Sequence, residues 1–329
     1  MRPIFMRIEQ PGFFDLQVNG FAGIDLNNPG AASSDILFAI EQLRLTGVTT
    51  FLPTLITSSF DRFRLCAQNL LRLQSTAVAG LHMEGPYISA EDGPRGAHPR
   101  QYVIEATRDD FLRRQDAAEG RILLVTLAPE VPGAIQLIEY LASTGIRVAI
   151  GHSAATTEQI SDAVKAGATL STHLGNGCHL QMPRHPNLIW EQLAEDRLFA
   201  SLIVDGHHLP PATVKAMICA KGAGRTILTT DAIAAAGCGP GNFQLNGETV
   251  VVNDAGRVSP PGKPWLAGSS LTMNRAVANT VKLAGISLET AWRMASINPA
   301  TFFGLKTTGR VIGEWDDNSF QLTIREVVT

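Results

Sequence analysis

Residues 147–173 read RVAIGHSAATTEQISDAVKAGATLSTH, and this stretch holds one complete unit of the fold. Residues 147–152 form an apolar run that ends in Gly151-His152-Ser153. Residues 156–166 then space their apolar residues as a helix does, and Gly167 supplies a C-terminal stop. Residues 169–173 start a second strand, ending Thr172-His173-Leu174. A short, nearly unbroken apolar run is what a parallel strand buried on both faces requires.

The same unit recurs in both directions. Further strands are expected at residues 13–18, 49–55, 78–84, 121–129, 199–204 and 225–231, which makes eight in all. Helices are expected between them. Residues 34–46 space Ile36, Leu37, Ile40 and Leu43 on one face, residues 134–143 precede Gly145, and Pro210-Pro211 opens a helix before Lys221-Gly222. Eight strand–helix units in series predict an α/β fold, a (β/α)₈ barrel. The rival, an open doubly wound sheet, favours a Gly-x-Gly-x-x-Gly turn after an early strand, and the chain has none. Residues 243–258 alternate around Asn246-Gly247 and Asp254-Ala255-Gly256, which predicts a β-hairpin inserted after strand eight.

Composition agrees with one large folded unit. The chain has 329 residues, 45% of them hydrophobic and 17% charged. A chain of this size buries ~75% of its unfolded surface, which excludes a disulfide mini-scaffold or a disordered tail. Its 27 basic and 30 acidic residues give a net charge of −3, so nothing points to nucleic acid or an anionic membrane. The four cysteines are dispersed, with no Cys-x-x-Cys pair, and suit a reducing cytoplasm. Residues 1–10 carry Arg2, Arg7 and Glu9 and lack the apolar core of a signal peptide. No apolar run reaches the ~20 residues of a membrane helix.

Active sites of such barrels lie at the C-terminal ends of the strands. Here those ends are polar. Strand one carries Asp15, Gln17 and Asn19, strand three ends in Glu84, strands five and six in His152 and His173, strand seven in Asp205-Gly206-His207-His208, and strand eight in Asp231. Glu84, His152 and His173 are the expected metal ligands. Two imidazoles and a carboxylate hold a catalytic zinc with a fourth position left for water. Each alone reads equally well as a strand-end hydrogen-bonding residue; three such residues at three strand ends, followed by Asp231, favour the site. Asp231 is the expected general acid/base, against the alternative of a helix N-cap. Gln17-Val18-Asn19 stands where many barrel metallohydrolases carry His-x-His, and two neutral amides are poor ligands. One divalent ion per chain is therefore expected. Zinc is the first choice, with iron, manganese and cobalt also tolerated by these ligands.

Eight motifs together resemble the N-acetylglucosamine-6-phosphate deacetylase family of the amidohydrolase superfamily. They are Pro11-Gly12-Phe13-Phe14-Asp15-Leu16-Gln17-Val18-Asn19-Gly20, Gly47-Val48-Thr49-Thr50-Phe51-Leu52-Pro53-Thr54, Leu81-His82-Met83-Glu84-Gly85-Pro86, Gly151-His152-Ser153, Thr172-His173-Leu174, Asp205-Gly206-His207-His208, Thr230-Asp231-Ala232 and the run from Leu266 to Met273. The resemblance implies a metal-dependent hydrolase that removes acetate from an N-acetyl amino sugar phosphate. It makes Glu84, His152 and His173 the ligands and Asp231 the acid/base. It makes His98 the residue that polarises the acetamide carbonyl, and Asn176, Gly177, Arg184 and His208 the residues that meet the substrate. It also implies a homodimer in which Arg184 reaches the partner's site. His82, two residues before Glu84, reads as a packed or supporting residue.

Two features depart from the family pattern. After Thr172-His173-Leu174 the family reads an aromatic and then Asn-Ala-Met, whereas this chain has Gly175-Asn176-Gly177-Cys178. That change leaves open a different acetamido sugar, another hexosamine or an unphosphorylated one; a non-catalytic sugar-phosphate-binding paralogue is the reading from another class. Family members also begin with several strands of a small β-sandwich. Here the barrel spans residues 11–305, and only residues 1–10 and 306–329 remain for that sandwich. The alternating run at residues 320–324 needs a partner, either residues 4–8 or another subunit.

Overall fold

The computed structural model describes residues 5–245, 247–263 and 265–329. Eight parallel strands run β1 (Phe13–Val18), β2 (Val48–Ile56), β3 (Leu81–Glu84), β4 (Ile122–Leu127), β5 (Arg147–Ile150), β6 (Leu170–Ser171), β7 (Phe199–Leu202) and β8 (Thr226–Leu228). They pair in chain order from β1 to β8. Between β8 and β1 the ladder shrinks to one bridge, Val18 with Ala232, helped by the Asn19 and Gly20 amides donating to Ala232 O at 2.7 and 3.1 Å. The sheet is thus a barrel with one weakly laced seam. The expected apolar runs are longer than the strands they contain. Residues 78–84 yield only Leu81–Glu84, with Val78 in a lone bridge to Phe51, because ladder pairing stops where the chain turns into loops at the barrel ends.

The helices follow their sequence signals. Ala134–Ser143 occupies its expected span. Thr157–Ala166 begins behind a Thr156/Gln159 capping box and stops at left-handed Gly167. Ser33–Arg44 and Pro211–Lys221 cover the other two expected helices. Phe14, Leu16, Leu52, Leu124, Ala149, Leu170 and Ile227 touch one another. Residues from strands across a barrel can meet only inside it, so this cluster is the barrel's filling. Ala300 and Phe302, from the helix Ile297–Phe303, join it.

The chain ends form an antiparallel sheet, Met6–Pro11 beside Arg310–Asp316 beside Gln321–Val328. The alternating run at 320–324 therefore finds its partner in Arg310–Asp316, not in residues 4–8 or a second subunit; Ile4 lies outside the described residues. The inserted hairpin, Gly241–Leu245 with Glu248–Val252, gains a third short strand at Val258–Ser259. The Asn246 half of its expected Asn246-Gly247 turn lies outside the described residues.

Trp292 anchors β1, the strand that carries Gln17 and Asn19. Its ring centroid lies 4.5 Å from that of Phe13, and its indole N–H donates to Pro11 O at 2.8 Å. Trp292 is 2% exposed. Trp292→Ala is expected to lower unfolding stability by ~3–5 kcal/mol, read from the denaturant midpoint. A loss below ~1 kcal/mol would show that the end of β1 is held elsewhere.

Candidate active site

Glu84 closes β3, and His152, His173 and Asp231 follow β5, β6 and β8 within three residues. The last three adopt positive φ, 52°, 31° and 49°. Side chains larger than glycine are strained there. The strain buys a sharp turn at the mouth of the barrel.

His152 Nε2 and His173 Nε2 lie 3.2 and 3.0 Å from Glu84 Oε1, and 3.1 Å from each other. Donors ~2.0–2.1 Å from a tetrahedral zinc stand about 3.3 Å apart, so these three atoms have the spacing of a ligand set. His152 Nδ1 lies 2.9 Å from Pro94 O, so that nitrogen carries a proton. In the neutral ring Nε2 then turns a lone pair toward Glu84. Three electron-rich atoms around one point need a proton or a cation among them. The protein's own charges say the same. Burial opposes a charge on His152, but Glu84 outweighs it and raises the imidazole above its usual range. Burial alone would raise the Glu84 carboxyl, but His152 and His173 outweigh it and hold that carboxyl well down. The donor set fits a divalent ion.

His98 stands beside this set. Its Nε2 is 3.7 Å from Glu84 Oε2, its ring lies 4.3 Å from that of His152, and its Nδ1 meets Thr57 Oγ1 at 2.8 Å. Glu84, His98 and His152 also offer donor atoms within 4.8 Å of one another. The set with His173 is tighter and converges on one carboxylate oxygen. Burial pushes His98 down to about 3, with the His152 charge adding to it, so the ring is neutral and donates from a single nitrogen. Asp231 is half-buried. Its Oδ1 accepts from Asn19 Nδ2 at 2.7 Å. Burial, then the Glu84 charge, push its carboxyl up to about 6.

Of the expected substrate residues, Asn176, Gly177 and His208 line this region and Arg184 does not. Asn176 and Gly177 border a small cavity with His152 and Ser153. Gly177 has φ +58, and a Cβ there would stand 3.0 Å from His152 Nδ1, so this loop approaches the ligand as only glycine allows. His208 Nδ1 meets Asp205 Oδ2 at 2.7 Å, and the ring lies within electrostatic reach of Asp231. Arg184 is exposed in the loop before the helix Leu188–Ala194, and its side chain has no hydrogen-bond or ion-pair partner among the described residues.

Three contacts were not legible as roles. Gln17, read only as a poor ligand, donates through Nε2 to Glu84 Oε1 at 2.7 Å. Asp205 orients His208, and the Asp-x-x-His spacing was the available signal, since Asp205 Oδ1 also accepts the His207 and His208 amides at 2.8 Å. Thr57 follows β2 and orients His98. Below them His82 Nε2 meets Thr126 Oγ1 at 2.7 Å, and Thr126 meets Thr172 Oγ1 at 2.7 Å. This buried polar belt under Glu84 bears out the supporting place expected of His82.

Comparisons with known proteins agree with this geometry. The amidohydrolase family profile matches residues 10–312. An N-acetylglucosamine-6-phosphate deacetylase of Lysinibacillus sphaericus is 35% identical over 312 residues, 93% of this chain and 79% of that protein. An N-acetylgalactosamine-6-phosphate deacetylase of Escherichia coli O157:H7 is 34% identical over 300 residues, 90% of this chain and 78% of that protein. The crystal structure of N-acetyl-D-glucosamine-6-phosphate deacetylase from Mycobacterium smegmatis superimposes with a TM-score of 0.90 at 30% identity, covering 98% of this chain and 86% of that one. With this profile, these relatives and the strand-end cluster in agreement, the chain belongs to the N-acetylglucosamine-6-phosphate deacetylase family of amidohydrolases.

Proposed function

We propose that the protein hydrolyses the acetamide of N-acetylglucosamine-6-phosphate, releasing acetate and glucosamine-6-phosphate. The convergence of Glu84, His152 and His173 on one point, with His98 and Asp231 beside it, carries the reading. A divalent ion held there, zinc first among the candidates, supplies a water of lowered pKa and polarises the carbonyl. The chain's residues do the rest. Thr57 Oγ1 holds His98 Nδ1 at 2.8 Å, and the neutral ring, with its proton on Nε2, meets the carbonyl oxygen as charge builds there. Asp231 accepts a proton as the water oxygen bonds to the acetyl carbon. It returns that proton to the nitrogen as the C–N bond breaks. His208 and the Asn176–Gly177 amides bind the sugar phosphate, and Arg184 of a partner subunit completes that site.

The Escherichia coli relative acts on N-acetylgalactosamine-6-phosphate, and the Gly175-Asn176-Gly177-Cys178 loop lacks the aromatic that the family carries there. The epimeric sugar is therefore the second reading. Acetate release from the two 6-phosphates and their unphosphorylated sugars, each with zinc, iron, manganese and cobalt, tests both. Preference for free sugars would remove the phosphate role, and no release from any substrate would leave a binding paralogue. Among the described residues no helix is long and apolar enough to cross a membrane, and all four cysteines are free. The cytoplasm is the compartment we infer.

Two further results are expected. His173→Ala is expected to lose bound metal, while His98→Ala keeps about one equivalent and loses activity ~10²-fold. The reverse pattern by elemental analysis would exchange the two residues' roles. Mixing Arg184→Ala with Asp231→Asn chains is expected to restore activity above either variant alone, because a hybrid dimer has one site with both wild-type residues. No recovery despite verified subunit exchange would return Arg184 to its own chain's site or to none.

A further inference from the structure

We propose that Asp15 is a positioning residue, which ties the barrel seam to Thr230 and so holds the Asp231 side chain in place for proton transfer. The inference rests on the reading of Asp231 as the proton carrier. Asp15 lies in β1 and is 0% exposed. Its Oδ1 accepts from Thr229 Oγ1 at 2.9 Å, from the Thr230 amide at 3.2 Å and from the Gln17 amide at 3.3 Å. Its Oδ2 accepts from Thr230 Oγ1 at 2.5 Å. Thr230 Oγ1 in turn accepts from the Ala232 amide at 3.2 Å. One carboxylate therefore grips the residue before Asp231 at main chain and side chain and, through that hydroxyl, the residue after it.

The grip stands where the strand ladder is thinnest. β1 meets the chain beyond β8 through a single bridge, Val18 with Ala232, and directly beyond β8 Asp231 must hold a left-handed φ of 49°. On the other side Ser269 clamps the same turn, donating through Oγ to Thr230 O at 2.5 Å and through its amide to Asp231 O at 3.0 Å. Asp15 has no cation among its hydrogen-bond partners, and burial pushes its carboxyl up to about 6. An ionised, unpaired carboxylate in such a place is destabilising at neutral pH. What it provides, and an amide does not, is two oxygens that only accept, matched to four donors.

The test compares Asp15→Asn, Thr230→Val and the double variant, assayed by acetate release from the sugar phosphate that the parent turns over best. Each single variant is expected to lower kcat about 10-fold or more with KM within about 2-fold, the split that marks loss of a transition-state interaction. Metal content is expected to stay near the parent's. The melting temperature of Asp15→Asn at pH 7.5 is expected to fall by no more than about 4 °C. The double variant is expected to be no worse than about 2-fold below the poorer single one, because both remove one linkage. Thr230→Val keeps the side-chain volume and carries the test if Asp15→Asn fails to fold by circular dichroism. Unchanged kcat with a lowered melting temperature would make the seam merely structural, and multiplicative losses would show that Asp15 does not act through Thr230. An active Asp231→Asn would instead sink the reading beneath this one, whatever the Asp15 variants do.

Discussion

Glu84→Gln is expected to leave the protein with less than about a tenth of an equivalent of metal and to lower kcat/KM by more than ~10²-fold, beyond the 10–100-fold typical of residues that only orient a ligand. The side chain is 2% exposed, and its Oε1 is the common neighbour of Gln17 Nε2, His173 Nε2 and His152 Nε2 at 2.7, 3.0 and 3.2 Å. An amide of the same shape removes the negative charge and can place an N–H₂ where the ligand oxygen stood. The two imidazoles alone lack the charge that favours a divalent ion. The fold itself is expected to survive, because the substitution takes a buried charge away and leaves the packing intact. Gln17→Ala provides the graded comparison. It removes one donor to Glu84 and is expected to lose ~10–100-fold in metal affinity or activity. Full metal content in Glu84→Gln, measured by elemental analysis, would move the ion to other ligands.

The barrel was legible because its strands are buried on both faces, so each reads as a short apolar run. Arg147–Ile150 and Thr157–Ala166 lie within the spans that patterning and the capping signals marked. Strand ends were less legible. At residues 225–231 the pairing stops at Leu228: the Thr229 amide still donates to Leu202 O at 3.2 Å, but the Thr230 amide turns to Asp15 Oδ1. The ligand candidates were visible as titratable residues at strand ends. Their supports were not. Gln17 and Glu84 are 67 residues apart, and Asn19 and Asp231 are 212 apart, so only closure of the barrel brings them together. Gln17 and Asn19 read as missing ligands, and Asp15, at the same period-two spacing, reads only as a polar residue of strand one with no role of its own. Arg184 shows the opposite limit: motif resemblance assigned it a role, and in the single chain its side chain is exposed and away from the cluster.

Asp231→Asn is expected to lower kcat by ~10²–10⁴-fold, the range of a positioned proton carrier, while metal content and KM change little. Asp231 is not one of the three convergent donors, so its loss leaves the ligand set whole. One of its oxygens is already held, with Oδ1 accepting from Asn19 Nδ2 at 2.7 Å, which leaves Oδ2 to exchange the proton. Burial and then the Glu84 charge push this carboxyl up to about 6. A base in that range is ionised at neutral pH yet still gives its proton back, as the second half of the reaction requires. A bound cation favours the ionised form and shifts the titration downward. The parent's kcat/KM is therefore expected to rise with pH along an acid limb centred at or below about 6 and then to flatten. The asparagine variant has no carboxyl to ionise, so its residual activity is expected to lack that limb. An acid limb that persists in Asp231→Asn would assign it to another group, and metal lost together with activity would make Asp231 a ligand instead of the proton carrier.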